Sequence, residues 1–334
     1  MEKSKKQYFN EINIMRGMAV LCVSIGHSFN PTETPTILGF IKSFVYCFHM
    51  PAFFFISGFL EGEKRRSISE KKQAIVKKAK RLMVPYFFLT VVTAVLKLLF
   101  GAFARNPLNY STLAVDVLIG RNNPNGGLWF LYALFVISIF GILFDNVSRT
   151  VLAGVMFVLY MLNTVVLKQS GYIVGFFLSY AWIYFMGGAV RKHLFEIIKN
   201  SELLMSVKGI VLIAVVSVGY MMLAFVSIYK SQSWSLATAV TVIGVFLLFV
   251  IAVQIEHYHC GEKLWMVLGD YGMDIYMIGY YVQQAIFVVC GKILGFDYLV
   301  YAWMMLFLGL IAPIFLSKYV VRKNHMLSTL ILGR

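Results

Sequence analysis

The chain has 334 residues, of which 60% are hydrophobic and only 13% are charged. A water-soluble domain of this size needs a much more polar surface, so the composition excludes one and indicates a protein that crosses a membrane several times. The formal net charge of +15 is spread mainly over short loops between apolar runs. That distribution excludes a nucleic-acid partner and is typical of membrane topology.

Long apolar runs recur along the whole chain, and each can cross a bilayer as a helix. Because they lack the strict alternation of barrel strands, we predict an all-α polytopic transmembrane bundle. We place about ten spans in it, at 12–30, 37–60, 83–103, 127–145, 149–167, 171–190, 205–228, 235–256, 271–291 and 297–317. The first span is expected to be retained, because the polar N-terminal residues do not resemble a cleavable signal.

Basic residues set the predicted orientation of the bundle. The segment 61–82, EGEKRRSISEKKQAIVKKAKRL, is the densest in lysine and arginine and is therefore assigned to the cytoplasm. The segment 191–200 and both termini fall on the same side. We expect one integral membrane domain over residues 1–334, with a cytoplasmic N-terminus at 1–11 and a cytoplasmic tail at 318–334.

The first span contains the sequence RGMAVLCVSIGH, in which Arg16 and His27 enclose apolar residues. An α-helix has 3.6 residues per turn, so side chains eleven positions apart differ by about 20° in direction and about 16 Å in height. The two residues therefore lie on one face, and ionisable residues in spans usually face a bundle interior or a wet cavity. Two simpler interpretations stay open: Arg16 snorkels to the headgroups, or His27 only makes an interhelical hydrogen bond.

The second span, FVYCFHMPAFFFISGFL, brings another histidine to a similar depth. Antiparallel packing of the first two spans would place His49 and His27 at one cavity. Pro51 is expected to kink the helix and free a carbonyl group, which His49 could equally satisfy. Ser57 and Gly58 offer a flat surface for close helix packing.

Four motifs in order, NIMRGMAVLCVSIGHS, FHMPAFFFISGFL, KKAKRLMVPYFF and LWFLYALF, resemble the acyltransferase 3 family of bacterial membrane acyltransferases. The resemblance is closest to members that O-acetylate surface polysaccharides, and it extends to about residue 135. It implies a catalytic His27, a necessary basic partner at Arg16, and acyl-CoA near the run from Lys78 to Arg81. Two positions depart from the family pattern: Asn13 replaces a frequent aspartate, and Gly279 in the ninth span replaces a frequent histidine.

Acyl transfer from a thioester to a hydroxyl needs a base or a nucleophilic carrier, together with positive charge or donors for the oxyanion. We assign His27 as that base or carrier, with His49 orienting it or assisting the proton transfer. Arg16, Lys78 and Arg81 are the predicted contacts to the phosphates of the donor. Basic loops also arise from topology alone, which is the alternative for Lys78 and Arg81.

Candidate contacts to the acceptor lie in and just after the predicted outer loop GRNNPNGG, residues 120–127. Sugars stack on aromatic rings, so Trp129 is predicted to contact the acceptor, with an interfacial tryptophan as the alternative. Arg121 would face an anionic glycan or a lipid headgroup. The sequence HYHC at 257–260 has ligand-type residues but no matching second half, so no metal is predicted.

The predicted function is therefore a membrane O-acyltransferase of the bacterial cytoplasmic membrane. It would transfer an acyl group, expected to be acetyl, from cytoplasmic acetyl-CoA or another acyl-CoA. The acceptor would be a hydroxyl of a capsular, cell-surface or lipid-linked carbohydrate. Membrane lipid is an expected partner, and homo-oligomerisation is left open. A transporter or flippase for a glycan or lipid-linked intermediate is the alternative, since buried basic residues suit both functions. A conduit that feeds acyl groups to a partner enzyme is a third hypothesis.

Overall fold

The computed structural model describes residues 8–29, 36–101, 111–168, 172–230 and 233–334, and within them the chain is helical without β-strands. The helices, in chain order, are α1 (Asn10–Ser28), α2 (Thr36–Tyr46), α3 (His49–Glu61), α4 (Ile68–Leu99), α5 (Leu113–Leu118), α6 (Trp129–Leu143), α7 (Arg149–Leu162), α8 (Tyr172–His193), α9 (Phe195–Lys199), α10 (Val207–Tyr229), α11 (Trp234–Tyr258), α12 (Glu262–Asp270), α13 (Gly272–Ile286), α14 (Tyr298–Tyr319) and α15 (His325–Leu332). Two π-helical segments, Asn163–Leu167 and Phe287–Ile293, extend α7 and α13, and a 3-10 turn, Val321–Lys323, follows α14.

Eight helical stretches among the described residues are long and apolar enough to cross a membrane. They coincide with the second, third and fifth to tenth predicted spans, so the prediction of a polytopic helical bundle is confirmed. The other two predicted spans also fall on helices. One is α6, which has only 15 residues, and the other is α1, which carries Glu11 and Arg16 among its apolar residues.

The helix α4 begins well before the span predicted at 83–103. Ser67 and Glu70 form a capping box, in which each side chain accepts a hydrogen bond from the backbone N–H of the other. The charged half of α4, residues 68–82, is therefore helical and continuous with the apolar half that forms the third span. We call the end of the bundle that carries this charged half the basic end.

The helix α1 lies at the centre of the bundle. It packs against α2, α3, α11, α12, α13 and α14. Ile12, Ile14, Met15 and Ala19 are fully buried along it. Because so many helices surround α1, Arg16 and His27 can reach the interior of the bundle from its two ends.

Close packing of α3 on α8 supports this arrangement. A side chain at Gly58 would overlap the backbone carbonyl of Tyr184, and one at Gly187 would overlap that of Phe55. The two glycines let the helix backbones meet directly, as expected for Gly58 from the sequence. The phenyl rings of Phe54 and Phe55 fill the interior beside this contact and are fully buried.

The second predicted span is broken between α2 and α3 and is not a single kinked helix. Pro51 has no N–H to donate to the carbonyl of Cys47, four residues earlier. The hydroxyl of Thr241 on α11 donates to that carbonyl over 2.9 Å. A side chain from another helix therefore satisfies the backbone group that proline frees.

Candidate functional site

His27 lies in the last turn of α1, and its side chain is exposed. The ring borders a narrow hollow that has about 410 Å³ of empty space, a volume that includes open solvent. The helices α1, α13 and α14 and the loop before α6 surround this hollow. We call it the His27 hollow. The imidazole predicted to be catalytic is thus accessible, and it is not enclosed by apolar side chains.

One face of α13 forms a wall of the His27 hollow. Tyr276, Tyr280 and Gln283 are spaced by four and three residues, which places them on the same side of a helix, and all three line the hollow. No site residue was predicted in the ninth span, where Gly279 departs from the family pattern. In the structure Gly279 also lines the hollow. A polar stripe within an apolar span is the signal that could have identified this wall.

Gln283 connects α13 to the last turns of α1. Its Nε2 lies 3.2 Å from the hydroxyl oxygens of both Ser24 and Ser28, and the Ser28 hydroxyl donates to the carbonyl of Ser24 over 2.8 Å. The Gln283 side chain is buried, with 4% exposed. These hydrogen bonds lie on both sides of His27 in the sequence, so they fix the part of the helix that presents its ring.

The loop before α6 is held over the hollow by side-chain hydrogen bonds. Asn123 donates from Nδ2 to the hydroxyl of Thr90 over 2.6 Å. Asn125 accepts from the N–H of Gly127 over 3.0 Å, and the hydroxyl of Tyr276 donates to the carbonyl of Gly127. The outer loop predicted to lie near the acceptor is therefore a fixed part of the site.

The structure brings His49 near His27 but does not place it among the residues that line the hollow. The Nδ1 atom of His49 lies 2.8 Å from the carbonyl of Val45. Because a carbonyl only accepts, Nδ1 carries the proton of the neutral ring and Nε2 is left as an acceptor. The ring also meets Tyr46 edge-on, with 4.8 Å between ring centroids. His49 does bond a free carbonyl, although that carbonyl is not the one released by Pro51.

A second and larger pocket lies at the basic end, between the charged half of α4 and α15, and has about 1420 Å³ of empty space that includes open solvent. We call it the basic pocket. Its lining residues are Lys72, Gln73, Val76, Lys77, Lys80, Arg81, Gly333 and Arg334. Of the predicted donor contacts, Arg81 lies in this pocket.

Arg16 lies beside the basic pocket, within electrostatic range of Arg81 and Arg334. Its Nη1 donates to Oδ1 of Asn13 over 3.1 Å, and Nδ2 of Asn13 donates to Asp270 over 2.9 Å. The uncharged Asn13 therefore holds Arg16, and the carboxylate of Asp270 on α12 in turn holds Asn13. Asp270 was not predicted, because nothing in its local sequence distinguishes it.

The structure does not bring Lys78 to the basic pocket. Its Nζ lies 3.2 Å from the Glu61 carboxylate at the end of α3. Glu61 also pairs with Lys64 and Arg66. Asp145, which follows α6, pairs with Arg66 and Lys71. We call these residues the paired cluster; its members are Glu61, Lys64, Arg66, Lys71, Lys78 and Asp145.

The predicted acceptor contacts lie close to the His27 hollow but not in its wall. Trp129 begins α6, and its ring stacks on Phe176 with 4.5 Å between centroids. Arg121 forms an ion pair with Asp116. The direct neighbour of the tryptophan, Leu128, does line the hollow.

A further cation near the site is Lys42 on α2, which lies within electrostatic range of His27. Its ammonium group lies 5.6 Å from the centroid of the Tyr46 ring. Lys42 was not predicted as a site residue, although an ionisable residue within a predicted span is a signal for one. In the described parts of the chain, no group of three or more His, Cys, Asp and Glu side chains is placed to hold a metal ion.

Comparison with known proteins gives one match. Residues 9–322 match the family model Acyl_transf_3, described as an acyltransferase domain. The matched residues include α1 to α14 and both sides of the His27 hollow, whereas α15 lies beyond them. No curated protein and no solved structure matches the chain significantly.

Proposed function

We propose, on the premise that the chain belongs to the acyltransferase 3 family, that it is a membrane O-acyltransferase with His27 at its catalytic centre. The donor would be acyl-CoA, with acetyl-CoA the simplest member of that class, and it would bind at the basic pocket. The acceptor would be a hydroxyl of a cell-surface or lipid-linked carbohydrate at the His27 hollow. The basic end would face the cytoplasm of a bacterial cell, because positive charge collects on that side of a membrane protein.

The observation that carries this proposal is the accessible ring of His27 on the same helix as Arg16. A buried structural histidine would have a ring nitrogen bonded to the bundle, as the Nδ1 atom of His49 is bonded to the carbonyl of Val45. The ring of His27 instead borders a hollow. A neutral imidazole in such a place can take a proton or attack a carbonyl carbon.

The length of the donor is consistent with a site at each end of α1. Arg16 and His27 differ by about 16 Å in height along the helix. The pantetheine arm of CoA has about as many bonds in line as four to five peptide residues, which corresponds to roughly 15 Å when extended. A donor anchored by its phosphates near Arg16 would therefore present its thioester close to His27.

In the proposed reaction, the acceptor oxygen forms a bond to the thioester carbonyl carbon and transfers its proton to the imidazole of His27. The tetrahedral oxyanion then collapses, the carbon–sulfur bond breaks, and the CoA thiolate recovers the proton. If His27 acts as a carrier, its nitrogen first displaces the thiolate and forms an acyl-imidazole. The acceptor oxygen then takes the acyl group, the carbon–nitrogen bond breaks, and the proton of the hydroxyl passes to the thiolate. Lys42 supplies positive charge for the oxyanion in either case.

The walls of the His27 hollow suit a neutral polyhydroxyl acceptor. Asn125, Tyr276, Tyr280 and Gln283 present amide and phenol groups, which can donate to sugar hydroxyls and accept from them. We therefore place the acceptor on these four residues, whereas Trp129 and Arg121 already have partners within the protein.

The decisive experiment is acyl transfer by His27→Ala in purified protein, with His193→Ala as the matched control because His193 is also exposed but lies at the end of α8. General acid–base catalysis contributes about 10²–10⁴-fold, so we expect His27→Ala to lose at least about a hundredfold in kcat. CoA binding and the thermal midpoint are expected to stay unchanged. Retained turnover in His27→Ala would remove the catalytic assignment.

A cellular measurement separates this function from transport. Deletion of the gene is expected to remove an acyl mass from surface glycans, measured by mass spectrometry, and to leave the polymer in place. Loss of the polymer with intact acylation would indicate a transporter. The same assay of His27→Ala should reproduce the deletion.

A further inference from the structure

One wall of the basic pocket is formed by Gly333 and Arg334, which lie outside the residues matched by the family. The inference drawn from this wall rests on the proposed function. We propose that α15 and the residues after it complete the donor site, with Arg334 binding the diphosphate of CoA beside Arg81. The charged half of α4 would bind the remaining phosphate.

The position of α15 is fixed by packing and by a cap. The side chain of Asn324 accepts a hydrogen bond from the N–H of Leu327 over 3.1 Å and starts the helix. Leu327 and Ile331 pack on the main hydrophobic core, and Leu332 is only 1% exposed. The helix α15 is therefore packed firmly on the bundle and fixes the position of Gly333 and Arg334, which follow it.

Gly333 brings the chain against α4. Its φ of +65° lies in the left-handed region, and a side chain there would approach the carbonyl oxygen of Arg81 to 2.4 Å. Only glycine suits such a conformation at such a close contact. The contact places Arg334 next to Arg81, and both are within electrostatic range of Arg16.

The charges of the basic pocket are not balanced by the protein. Within the described parts of the chain, no aspartate or glutamate side chain lies within ion-pair distance of the five cationic residues in the pocket wall, which are Lys72, Lys77, Lys80, Arg81 and Arg334. CoA carries about four negative charges, because a phosphate monoester contributes up to about two and the diphosphate adds about two more. Charge-assisted hydrogen bonds from lysine and arginine are the usual protein partners of such groups.

The spacing along α4 indicates which cation would meet which phosphate. Lys77 precedes Arg81 by four residues, which corresponds to about one turn, or about 6 Å, along the same side of the helix. Arg81 and Arg334 lie on the side of Arg16, from which the pantetheine arm would extend toward His27. The diphosphate, next to that arm, is therefore assigned to Arg81 and Arg334. The 3′-phosphate, carried by the same ribose as the diphosphate, is assigned to the neighbouring Lys77.

The test is equilibrium binding of CoA and of 3′-dephospho-CoA to purified full-length protein in nanodiscs of zwitterionic lipid. We expect Arg334→Ala to weaken both ligands about tenfold, or about 1.4 kcal/mol. Lys77→Ala should weaken CoA several-fold and 3′-dephospho-CoA less than about twofold. Lys323→Ala is the control, because it removes an exposed cation just before α15 that does not line the pocket; it should change neither affinity by more than about twofold.

A second variant displaces α15 and Arg334 from α4 without removing a charge. Gly333→Val should displace α15 from Arg81 and weaken CoA binding in the same direction as Arg334→Ala. The inference is overturned if Arg334→Ala binds both ligands as Lys323→Ala does, or if wild-type protein does not bind CoA. The binding measurement is repeated in nanodiscs that contain anionic lipid. The inference is also overturned if CoA no longer binds there, since the pocket would then bind a lipid headgroup. All these readouts are binding constants, so their failure leaves the His27→Ala transfer test unaffected.

Discussion

The paired cluster and the basic pocket lie on two sides of the same charged half of α4. The cations of the paired cluster have carboxylate partners, whereas those of the basic pocket have no aspartate or glutamate partner among the described residues. Lys71 and Lys78 are seven residues apart and therefore share one face, and both pair with carboxylates of the paired cluster. Lys77, Lys80 and Arg81 lie on the face of the basic pocket, which contains no such partner among its lining residues.

The difference shows what a run of basic residues can and cannot indicate. The positive-inside rule accounts for both faces equally, because it depends only on the number of cations in a loop. The carboxylates that separate the two faces come from elsewhere in the chain, Glu61 from the end of α3 and Asp145 from the residues after α6. Cations with internal partners stabilise the fold, whereas cations without them attract an anion from solution.

The largest expected effect comes from breaking the paired cluster at Glu61. Glu61 is 8% exposed, and Glu61→Gln would leave Lys64 and Lys78 without their charge partner. Removing one member of a buried ion pair costs about 3 kcal/mol. We expect a lower thermal midpoint for the variant in nanodiscs, and CoA affinity that is unchanged in the folded fraction.

Glu262→Gln serves as the comparison for that measurement. Glu262 pairs with His259, whose side chain is 74% exposed, so the loss should be below about 1 kcal/mol. Equal midpoints for the two variants would show that the paired cluster does not stabilise the fold as described.

A pair of substitutions on α4 tests the contrast itself, with a smaller expected effect. Arg81→Ala should raise KM for acyl-CoA about tenfold, which is roughly 1.4 kcal/mol, and leave the thermal midpoint unchanged. Lys78→Ala should lower the midpoint and leave KM unchanged. This outcome would separate two residues that the sequence motif groups together. Equal increases in KM for both variants would contradict the division into two faces.

Hydropathy predicts the fold well because a bilayer imposes one length on every span. It misses the charged half of α4, whose residues are too polar to be a span. The S-x-x-E pattern at Ser67 and Glu70 was the local signal for that helix start.

From helical geometry alone, the candidate site was predictable only where it lies on a single helix; Arg81 was predicted from the family resemblance instead. Arg16 and His27 share α1, so the helical repeat alone relates them. Gln283, Asp270 and Arg334 join the site from the last quarter of the chain through tertiary packing. No local pattern near α1 encodes such partners, since packing decides which distant helix is its neighbour.

The smallest expected effect is a pH dependence confined to the exposed edge near the paired cluster. The hydrogen bond from Lys192 to the Glu63 carboxylate, 2.7 Å long, holds the pKa of Glu63 below its ordinary value, and the Arg149 N–H and Ser148 hydroxyl add to this effect. Because the folded pKa is the lower one, this contact stabilises the protein above the ordinary pKa of 4.5 and is lost as pH falls through the folded value. The stabilisation should be below about 1 kcal/mol, since Glu63 is exposed. Thermal midpoints of wild type and Glu63→Gln should therefore differ slightly near neutral pH and converge as pH falls through the folded pKa of Glu63. A difference that persists unchanged to the lowest pH at which the protein stays folded would show that the charge of Glu63 is not its source.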